Sequence, residues 1–558
     1  MDDIVPRGPG GARRPLNQAH KSMRTTRTKG QAATTDMVPE IWKAAFERNQ
    51  SGDWRYAGPA PERKAARVLA AFIVTGLAFL ALPGTLLGVW NLISIAERHT
   101  SNGASVAWIQ AHGHAQLFGW VGTFILGISL YVLPKFQGRM PKRFAIAWAV
   151  WVLWTTGVAV RWWVGVETRQ WRVGLVASAV LELGALALAL YYVLSGRAVG
   201  ATPALSQKVP RDLGSWMGMA AFGALGVALL LNLVISIQVA QQADLPVYPA
   251  VADRVFLLIA LWGFAVPMAW GYSTRFVTIF LSLAPPHHRA ARWVSLGVAA
   301  LVISVLAKQF LLADILALLL TLLALWALRI FQASLGPPKV IGVYRHYPVF
   351  VRASYGWLAV GAVLGVLADL FASQSGWSGA SRHAVTVGFL ATLVFALAPR
   401  ILPSFLNGRE LYSFRLMAAS LWVLNAGCSL RVLSESIAYS AGGWAWRALP
   451  ISALLELSAV ILFVTNLGGT LGRPVPAWFG PEEVRASMPL YWYITSYPST
   501  RRLLVEAGLK TLGRRREVPR SLTLADAAKA DGADLTTLLR VLRGFFATRQ
   551  PRRARRST

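Results

Sequence analysis

The sequence predicts an all-α, polytopic membrane protein of about twelve transmembrane helices with parallel internal repeats, plus a small soluble helical domain. Three observations predict it. Apolar runs of about twenty residues, long enough to cross a bilayer, follow one another from Val68 onward. Of the 558 residues 55% are hydrophobic and 23 are tryptophan, with a mean hydropathy of +0.47, a composition of membrane chains rather than of soluble domains. Lys and Arg gather in alternate loops, as the positive-inside rule requires.

Taken in order, residues 1–66 are polar, basic and rich in Gly, Pro and Thr, which reads as a disordered cytoplasmic tail. Within it, Asp36 to Arg48 sets Ile41, Trp42, Ala45 and Phe46 on one face, the pattern of an interfacial helix. Residues 67–470 form the membrane domain, with spans expected at 68–95, 114–134, 144–164, 173–194, 213–238, 254–281, 293–308, 310–331, 353–372, 383–403, 414–434 and 449–468. Lys308 alone divides the seventh from the eighth. With twelve spans, the loops carrying Lys135, Arg139, Lys142 and Arg143, then Arg197, Lys208 and Arg211, then Lys339, Arg345 and Arg352 face the cytoplasm together with both termini. Residues 487–547 carry helix signals: Ser499 ahead of Gly508, a Thr523–Asp526 capping box, and Asp534 before Leu535, Leu538, Leu539 and Leu542. Residues 548–558 are a basic tail.

The formal net charge of +31 lies largely in the tails and short loops. It reads as orientation and contact with anionic lipid, and no aromatic-and-basic module for nucleic acid is visible. A single cysteine, Cys428, excludes a disulfide framework and any cysteine-based zinc or iron–sulfur site within the chain. A metal would have to use histidine, methionine, carboxylates or a bound cofactor.

The second and tenth spans repeat one another. His114, Ala115, Gly119, Thr123, Leu133, Pro134 and Phe136 match His383, Ala384, Gly388, Thr392, Leu402, Pro403 and Phe405. The match continues through Phe144, Gly157 and Arg161 against Phe414, Gly427 and Arg431, and through Ser178–Leu183 against Ser452–Leu457, so Glu182 pairs with Glu456. The copies lie an even number of spans apart and run the same way, unlike inverted transporter repeats. A fainter third copy falls in spans six to eight, where Arg275 stands like Arg400 but no histidine stands like His114. Three four-helix units would make a ring of pseudo-threefold character.

Ionisable groups inside spans cost roughly 2.5–3.5 kcal/mol each on insertion scales and therefore mark functional candidates. The repeat supplies His114 with His383, Arg161 with Arg431, and Glu182 with Glu456, all expected toward the outer half or the middle. Convergence of these pairs would suit an anionic cofactor or a metal: histidines ligate through a neutral ring nitrogen and arginines clamp carboxylates. His112, at the mouth of the second span, diverges from His114 by about 200° on a regular helix. It either serves a second site or precedes the first turn and faces water. Gln116, one turn below, is placed to orient it. Against these stand plainer readings: interhelical hydrogen bonding for the histidines, snorkelling for Arg161 and Arg431, and neutral packing for Glu182 and Glu456. Arg275 and Arg400 read as interface anchors. His287, His288 and His346 fall on the opposite face, ~30 Å away, and cannot share a metal with His99, His112, His114 or His383.

His112-Gly113-His114-Ala115-Gln116-Leu117-Phe118-Gly119, the later His383-Ala384-Val385-Thr386-Val387-Gly388 and the twelve spans resemble the NnrS family, over about residues 68–470. The resemblance implies a bacterial inner-membrane protein that binds haem and copper through His112, His114 and His383. It also implies a role in the response to nitric oxide and nitrosative stress. The first element is similar as well to a helix of the haem–copper oxidase and nitric-oxide reductase superfamily. That superfamily uses six histidines for two haems and a copper, more than this chain offers on one side. Residues 487–547 resemble a small helical domain of unknown function, DUF1858, without its paired cysteines, which points to structural or partner-docking use rather than redox work.

Three functions follow: a haem- and copper-binding protein of the nitric-oxide response, a reduced relative of the haem–copper nitric-oxide reductases, or a cofactor-free transporter. Between enzyme, sensor and scavenger the sequence does not choose.

Overall fold

The computed structural model describes residues 40–42, 44, 60–136, 139–140, 143–195, 197–198, 213–340, 342–371, 375–406, 409, 411–473, 484–496, 498–515, 518–519 and 521–547. Of the expected interfacial helix only residues 40–42 and 44 are described; they are helical, and Trp42 is buried. The basic tail at 548–558 lies outside the described residues. The chain divides into two compact units, 1–58 with 477–558, and 59–476.

Among its described residues the larger unit contains twelve helices long and apolar enough to cross a membrane. They are α1 (Lys64–Arg98), α2 (Val106–Pro134), α3 (Phe144–Glu167), α4 (Trp171–Leu194), α5 (Leu213–Gln242), α6 (Ala250–Phe280), α7 (His288–Leu306), α8 (Phe310–Leu328), α9 (Tyr347–Leu370), α10 (Gly376–Phe405), α11 (Phe414–Ser440) and α12 (Trp444–Gly472). Lys308 does divide α7 from α8, in a left-handed conformation (φ 58°). The Ser413 hydroxyl caps α11 by accepting the Leu416 amide, which satisfies an otherwise orphaned donor. A two-residue antiparallel pair, β1 (Arg139–Met140) with β2 (Arg197–Ala198), joins two loops.

Burial separates three helices from the rest. In α2, α6 and α10, 89%, 78% and 78% of the most apolar stretch is buried, against 33–50% in the other nine. Those three line the centre, which is why they read as apolar on every face. Each carries π-helical turns at the same place: nine α-helical residues, then Ala115–Gly122, Ile259–Ala265 or Ala384–Ala391. The last residue before the π turns is His114, Leu258 or His383. This recurrence supplies the middle repeat that the sequence only hints at, and puts leucine where the other copies have histidine. A further π segment, Leu80–Leu86 in α1, contains Pro83, whose missing N–H disrupts regular i→i−4 bonding.

The smaller unit holds α13 (Leu490–Ser496), α14 (Pro498–Glu506), α15 (Lys510–Arg514), α16 (Leu524–Asp531) and α17 (Leu535–Ala547). Leu504, Leu509, Leu512, Leu538 and Leu542 are fully buried. Thr523 and Asp526 form a reciprocal capping box on α16, and Gly532 (φ 64°) ends that helix. Asp534 caps α17 by accepting from the Thr536 and Thr537 amides, at 3.1 and 3.0 Å. These bonds and the Thr537 hydroxyl hold its carboxyl below the usual carboxylate range.

Candidate functional site

Helix α2 begins at Val106, so His112 and His114 sit well inside it rather than at its mouth, and His112 does not precede the first turn. The two rings diverge as their spacing requires: His112 meets α1 and His114 meets α4.

His114 is 3% exposed, and its Nε2 lies 2.8 Å from Oε1 of Glu182, which is fully buried. The Asn232 amide donates to Glu182 Oε2 at 3.5 Å, and the Tyr248 hydroxyl donates to Asn232 Oδ1 at 2.6 Å. Ser236 meets the same hydroxyl at 2.6 Å. Gln110 fixes Tyr248 through its backbone, donating to the carbonyl at 2.9 Å and accepting from the amide at 2.8 Å. Arg161 is 2% exposed with its guanidinium 4.7 Å from the Tyr248 ring centre, and its Nε and Nη1 have no hydrogen-bond partner. Phe118, Phe256 and Trp154 close the site around His114. The first repeat unit thus holds a sealed polar network between α2, α3, α4 and α5.

The second cluster belongs to α1, α2, α10, α11 and α12. His112 Nδ1 lies 2.8 Å from the Gly84 carbonyl. Gly84 and Gly88 clear space for this side of α2: a Cβ on Gly88 would strike the His112 ring, and one on Gly84 would come within 2.9 Å of the Gln116 amide. His383 Nδ1 lies 3.0 Å from the Gly379 carbonyl and 3.3 Å from Glu435 Oε2. Glu435 is held in turn by Arg431 Nε at 3.1 Å. Among the described residues Nε2 of His112 and of His383 has no hydrogen-bond partner. The two rings are within electrostatic reach of each other, and Arg431 is within reach of His112. Glu456 joins this group electrostatically, and its buried Oε1 has no hydrogen-bond partner.

Three expectations need correction. The repeat pairs do not converge: His114, Arg161 and Glu182 build one cluster, while His383, Arg431 and Glu456 help build another, because equivalent faces of α2 and α10 look into different sectors of the ring. Gln116 does not orient His112; its amide donates to Thr85 Oγ1 at 3.2 Å and ties α2 to α1. Arg161 and Arg431 do not snorkel, being 2% and 7% exposed. The glycines of the repeat keep their meaning, since a Cβ on Gly157 would meet Glu182 Cγ at 2.9 Å and one on Gly427 would meet Glu456 Cγ at 3.0 Å. On the opposite side, His287 stacks on Trp326 with ring centres 4.3 Å apart, and Arg400 lies over Phe280. His99 caps α1 in a left-handed conformation and stacks on Trp446.

Glu435 is the main residue that sequence reasoning passes over. The eleventh apolar run closes at residue 434, one short of it, although its i,i+4 spacing from Arg431 is a readable signal. It fills the space that a side chain at 379 would need: a Cβ on Gly379 would collide with its carboxylate. The first copy has Gln110 at the place of Gly379, and Gly165 at the place of Glu435.

These features define a twelve-helix membrane protein with a threefold-repeated core, one buried histidine–carboxylate cluster and one partly buried. Among solved structures its fold is similar to a heme-copper terminal oxidase dimer, with a TM-score of 0.57 and 11% identity over 87% of this chain and 99% of that one. No curated protein has a sequence that matches it. The model of the NnrS protein family matches residues 66–474, and the chain belongs to that family.

Proposed function

We propose that this chain is a haem-binding membrane protein of the nitric-oxide response, in which His112 and His383 would hold the haem. The observation that carries the reading is the state of the imidazoles. Both Nδ1 atoms face backbone carbonyls, at 2.8 and 3.0 Å, the outer-shell contact that fixes a ligating histidine as its Nδ1–H tautomer. Nε2 is thereby left as the lone-pair donor on each ring. His114 is the reverse case: its Nε2 is engaged by Glu182, so it serves the polar network rather than a metal.

The residues present fit a haem. Arg431 Nη1 is buried without a hydrogen-bond partner and would hold a propionate, which guanidinium groups bind bidentately. When bound, a haem supplies one-electron redox chemistry and an iron with affinity for nitric oxide. Glu435 sets its carboxylate 3.3 Å from His383 Nδ1 and 3.1 Å from Arg431 Nε, so a negative charge stands beside the imidazole. The apolar walls of α1 and α12, with Val89, Leu92, Leu449 and Ala453 buried together, exclude water. Copper is different: among the described residues no group of three or more His, Cys, Asp or Glu is placed to hold a metal ion. The copper implied by the family resemblance therefore has no fitting ligand set, and a six-histidine reductase centre is not favoured. The cluster lies at the end of the bundle where α2 and α10 begin, the outer face if both termini are cytoplasmic, as the loop charges argue.

The test is the absorption spectrum of the purified full-length protein. A Soret band lost in His112→Ala and in His383→Ala, and kept in His114→Ala, is expected. A colourless wild-type protein, or a band that depends on His114 and not on His112, overturns the reading.

A further inference from the structure

The end of the bundle opposite the His112–His383 cluster carries a basic surface that the proposed function leaves unused. Two stretches build it: residues 281–292, which lead from α6 into the first turn of α7, and residues 329–352, which lead from α8 into α9. Between them they hold Arg289, Arg292, Arg329, Lys339, Arg345 and Arg352, and no aspartate or glutamate. The positive-inside rule explains the sign of such loops. It does not require them to be held in one shape, and these are.

Backbone bonds zip the two loops together. The Leu335 amide donates to the Ser282 carbonyl and the Lys339 amide to the Phe280 carbonyl, each at 2.8 Å, and the His287 amide donates to the Ala327 carbonyl at 2.9 Å. The Ser282 hydroxyl donates to the Pro337 carbonyl at 2.9 Å. Arg352 ties in α9, its Nε donating to the Ile330 carbonyl at 3.1 Å and its Nη2 to Ser334 Oγ at 3.2 Å. A partner therefore need not order these loops, which lowers the entropic cost of binding.

The focus is Arg329. It closes α8 in the left-handed conformation (φ 58°), with its amide donating to the Trp326 carbonyl at 3.2 Å. That place ordinarily goes to glycine, so the backbone gives no reason for an arginine there. The protein makes little use of its guanidinium: Nη1 reaches Gln332 Oε1 and Nη2 reaches His287 Nδ1, both at 3.4 Å, and the buried Nε has no hydrogen-bond partner. Because Arg329 donates to Nδ1, the His287 ring carries its own proton on Nε2, a second donor beside the guanidinium. The ring lies flat on Trp326, with centres 4.3 Å apart. Trp326 in turn heads an exposed apolar line down α8 through Leu322, Leu319 and Ile315, spaced three and four apart. Arg289 and Arg292 bracket the first turn of α7, where no acidic residue and no side-chain cap offset the helix dipole, so the amides add to the positive field.

We propose that this surface binds an anionic diacyl phospholipid of the adjoining leaflet, its phosphate on Arg329 and His287 Nε2–H and an acyl chain along Trp326, Leu322 and Leu319. Guanidinium groups pair bidentately with phosphate oxygens, and basic pockets between transmembrane helices hold anionic headgroups. A soluble anion would leave the apolar line unused, and a zwitterionic lipid would leave the cations unmet.

Hydrogen exchange of the full-length protein in neutral-detergent micelles, titrated with dioleoylphosphatidylglycerol, tests the proposal. Protection is expected in residues 281–290 and 329–339, half-complete at a mole fraction about ten-fold lower than with dioleoylphosphatidylcholine. Free glycerol phosphate should give none. Arg329→Gly suits the left-handed backbone, so it should leave the fold intact while weakening the lipid-dependent protection about five-fold. Arg289→Gln should weaken it several-fold, whereas Arg139→Gln, in another basic loop at the same end, should change nothing. No protection in these loops, equal protection by the two lipids, or protection by glycerol phosphate alone overturns the proposal. So does wild-type protection in both Arg329→Gly and Arg289→Gln, or an equal loss in Arg139→Gln.

Discussion

The His114–Glu182 contact is a sharp place to test whether the first sector is a polar network rather than a metal site. The perturbation is a double-mutant cycle with His114→Ala, Glu182→Ala and both together, read by equilibrium unfolding in mixed micelles. Each single change deletes a buried side chain and strands a partner. Cavity formation costs about 2–5 kcal/mol and an unsatisfied buried polar group about 1–3 kcal/mol. The cavity contributions cancel in the cycle, leaving the coupling. Interhelical hydrogen bonds in membranes couple by about 0.6 kcal/mol on average and up to about 1.7, whereas breaking a buried ion pair costs about 3–5 kcal/mol. The geometry is short, at 2.8 Å, both residues are buried, and Asn232 already donates to the other carboxylate oxygen. The hydrogen bond between His114 and Glu182 should therefore couple by about 1–2 kcal/mol. Coupling under about 0.5 kcal/mol would mean that the contact does not hold the network together. Coupling above about 3 kcal/mol would mean a buried ion pair and refute the hydrogen-bonded network.

Other consequences are as direct. Glu435→Gln removes the anion 3.3 Å from His383 Nδ1, so the haem midpoint potential in redox titration should rise by on the order of 60 mV, ~1.4 kcal/mol for one electron; a fall would contradict the assigned role. Gly88→Ala drives a methyl into the His112 ring. Overpacking of this kind costs about 1–3 kcal/mol, so haem content after dialysis should drop by roughly ten-fold or more, with Gly184→Ala, which meets nothing, as the control. Thr523→Ala removes one half of the α16 capping box and should cost that helix about 1 kcal/mol, visible as faster amide exchange at Asp526. The Asp534 carboxyl sits below its ordinary value. Its cap is therefore fully present above the unfolded value of about 3.9 and is lost as pH falls through the lower folded value. Exchange protection at Thr536 and Thr537 should be level at neutral pH and weaken only below about pH 4.

The spans were legible because bilayer thickness imposes a length that composition displays, and the repeat was legible where it preserved charged residues. Gly157 and Gly427 were readable as matched positions, and the structure gives both the same task beside Glu182 and Glu456. What could not be read was direction. His114 and His383 align in sequence, but alignment says nothing about which neighbour each ring meets, and one finds a carboxylate at Nε2 while the other finds a carbonyl at Nδ1. Arg161 lies near a helix end, where snorkelling is the ordinary outcome, and only packing against Tyr248 and Gly165 shows that it stays inside. Asp253 and Arg254 look like boundary charges for the same reason, and the partners of Arg254 arrive from α8 and α9, far along the chain.

The three sectors differ for reasons that a few residues explain. The backbone device is common: nine α-helical residues and then π turns in α2, α6 and α10, which re-aim the residue at the junction. In the first sector that residue is His114, whose Nε2 meets Glu182, itself bonded by Asn232, which in turn accepts from Tyr248. In the third it is His383, whose Nδ1 meets the Gly379 carbonyl with the Glu435 carboxylate 3.3 Å away, made possible by Gly379 where the first copy has Gln110. His112, two residues ahead of the junction, faces backwards into that same third sector, so one sector receives two free Nε2 atoms while its neighbour receives none. In the middle sector the junction residue is Leu258, and the polar groups withdraw to the wall of a cavity beside Arg254. Exchanging the surroundings should therefore move the chemistry. In a Glu182→Gln, Gly165→Glu variant, the new carboxylate would stand one turn from Arg161 as Glu435 stands from Arg431, and His114 Nε2 would lose its anionic partner. A second haem-like absorption would then be expected in the first sector only if Phe118 and Phe256 were also reduced, because their rings now occupy the space beside His114.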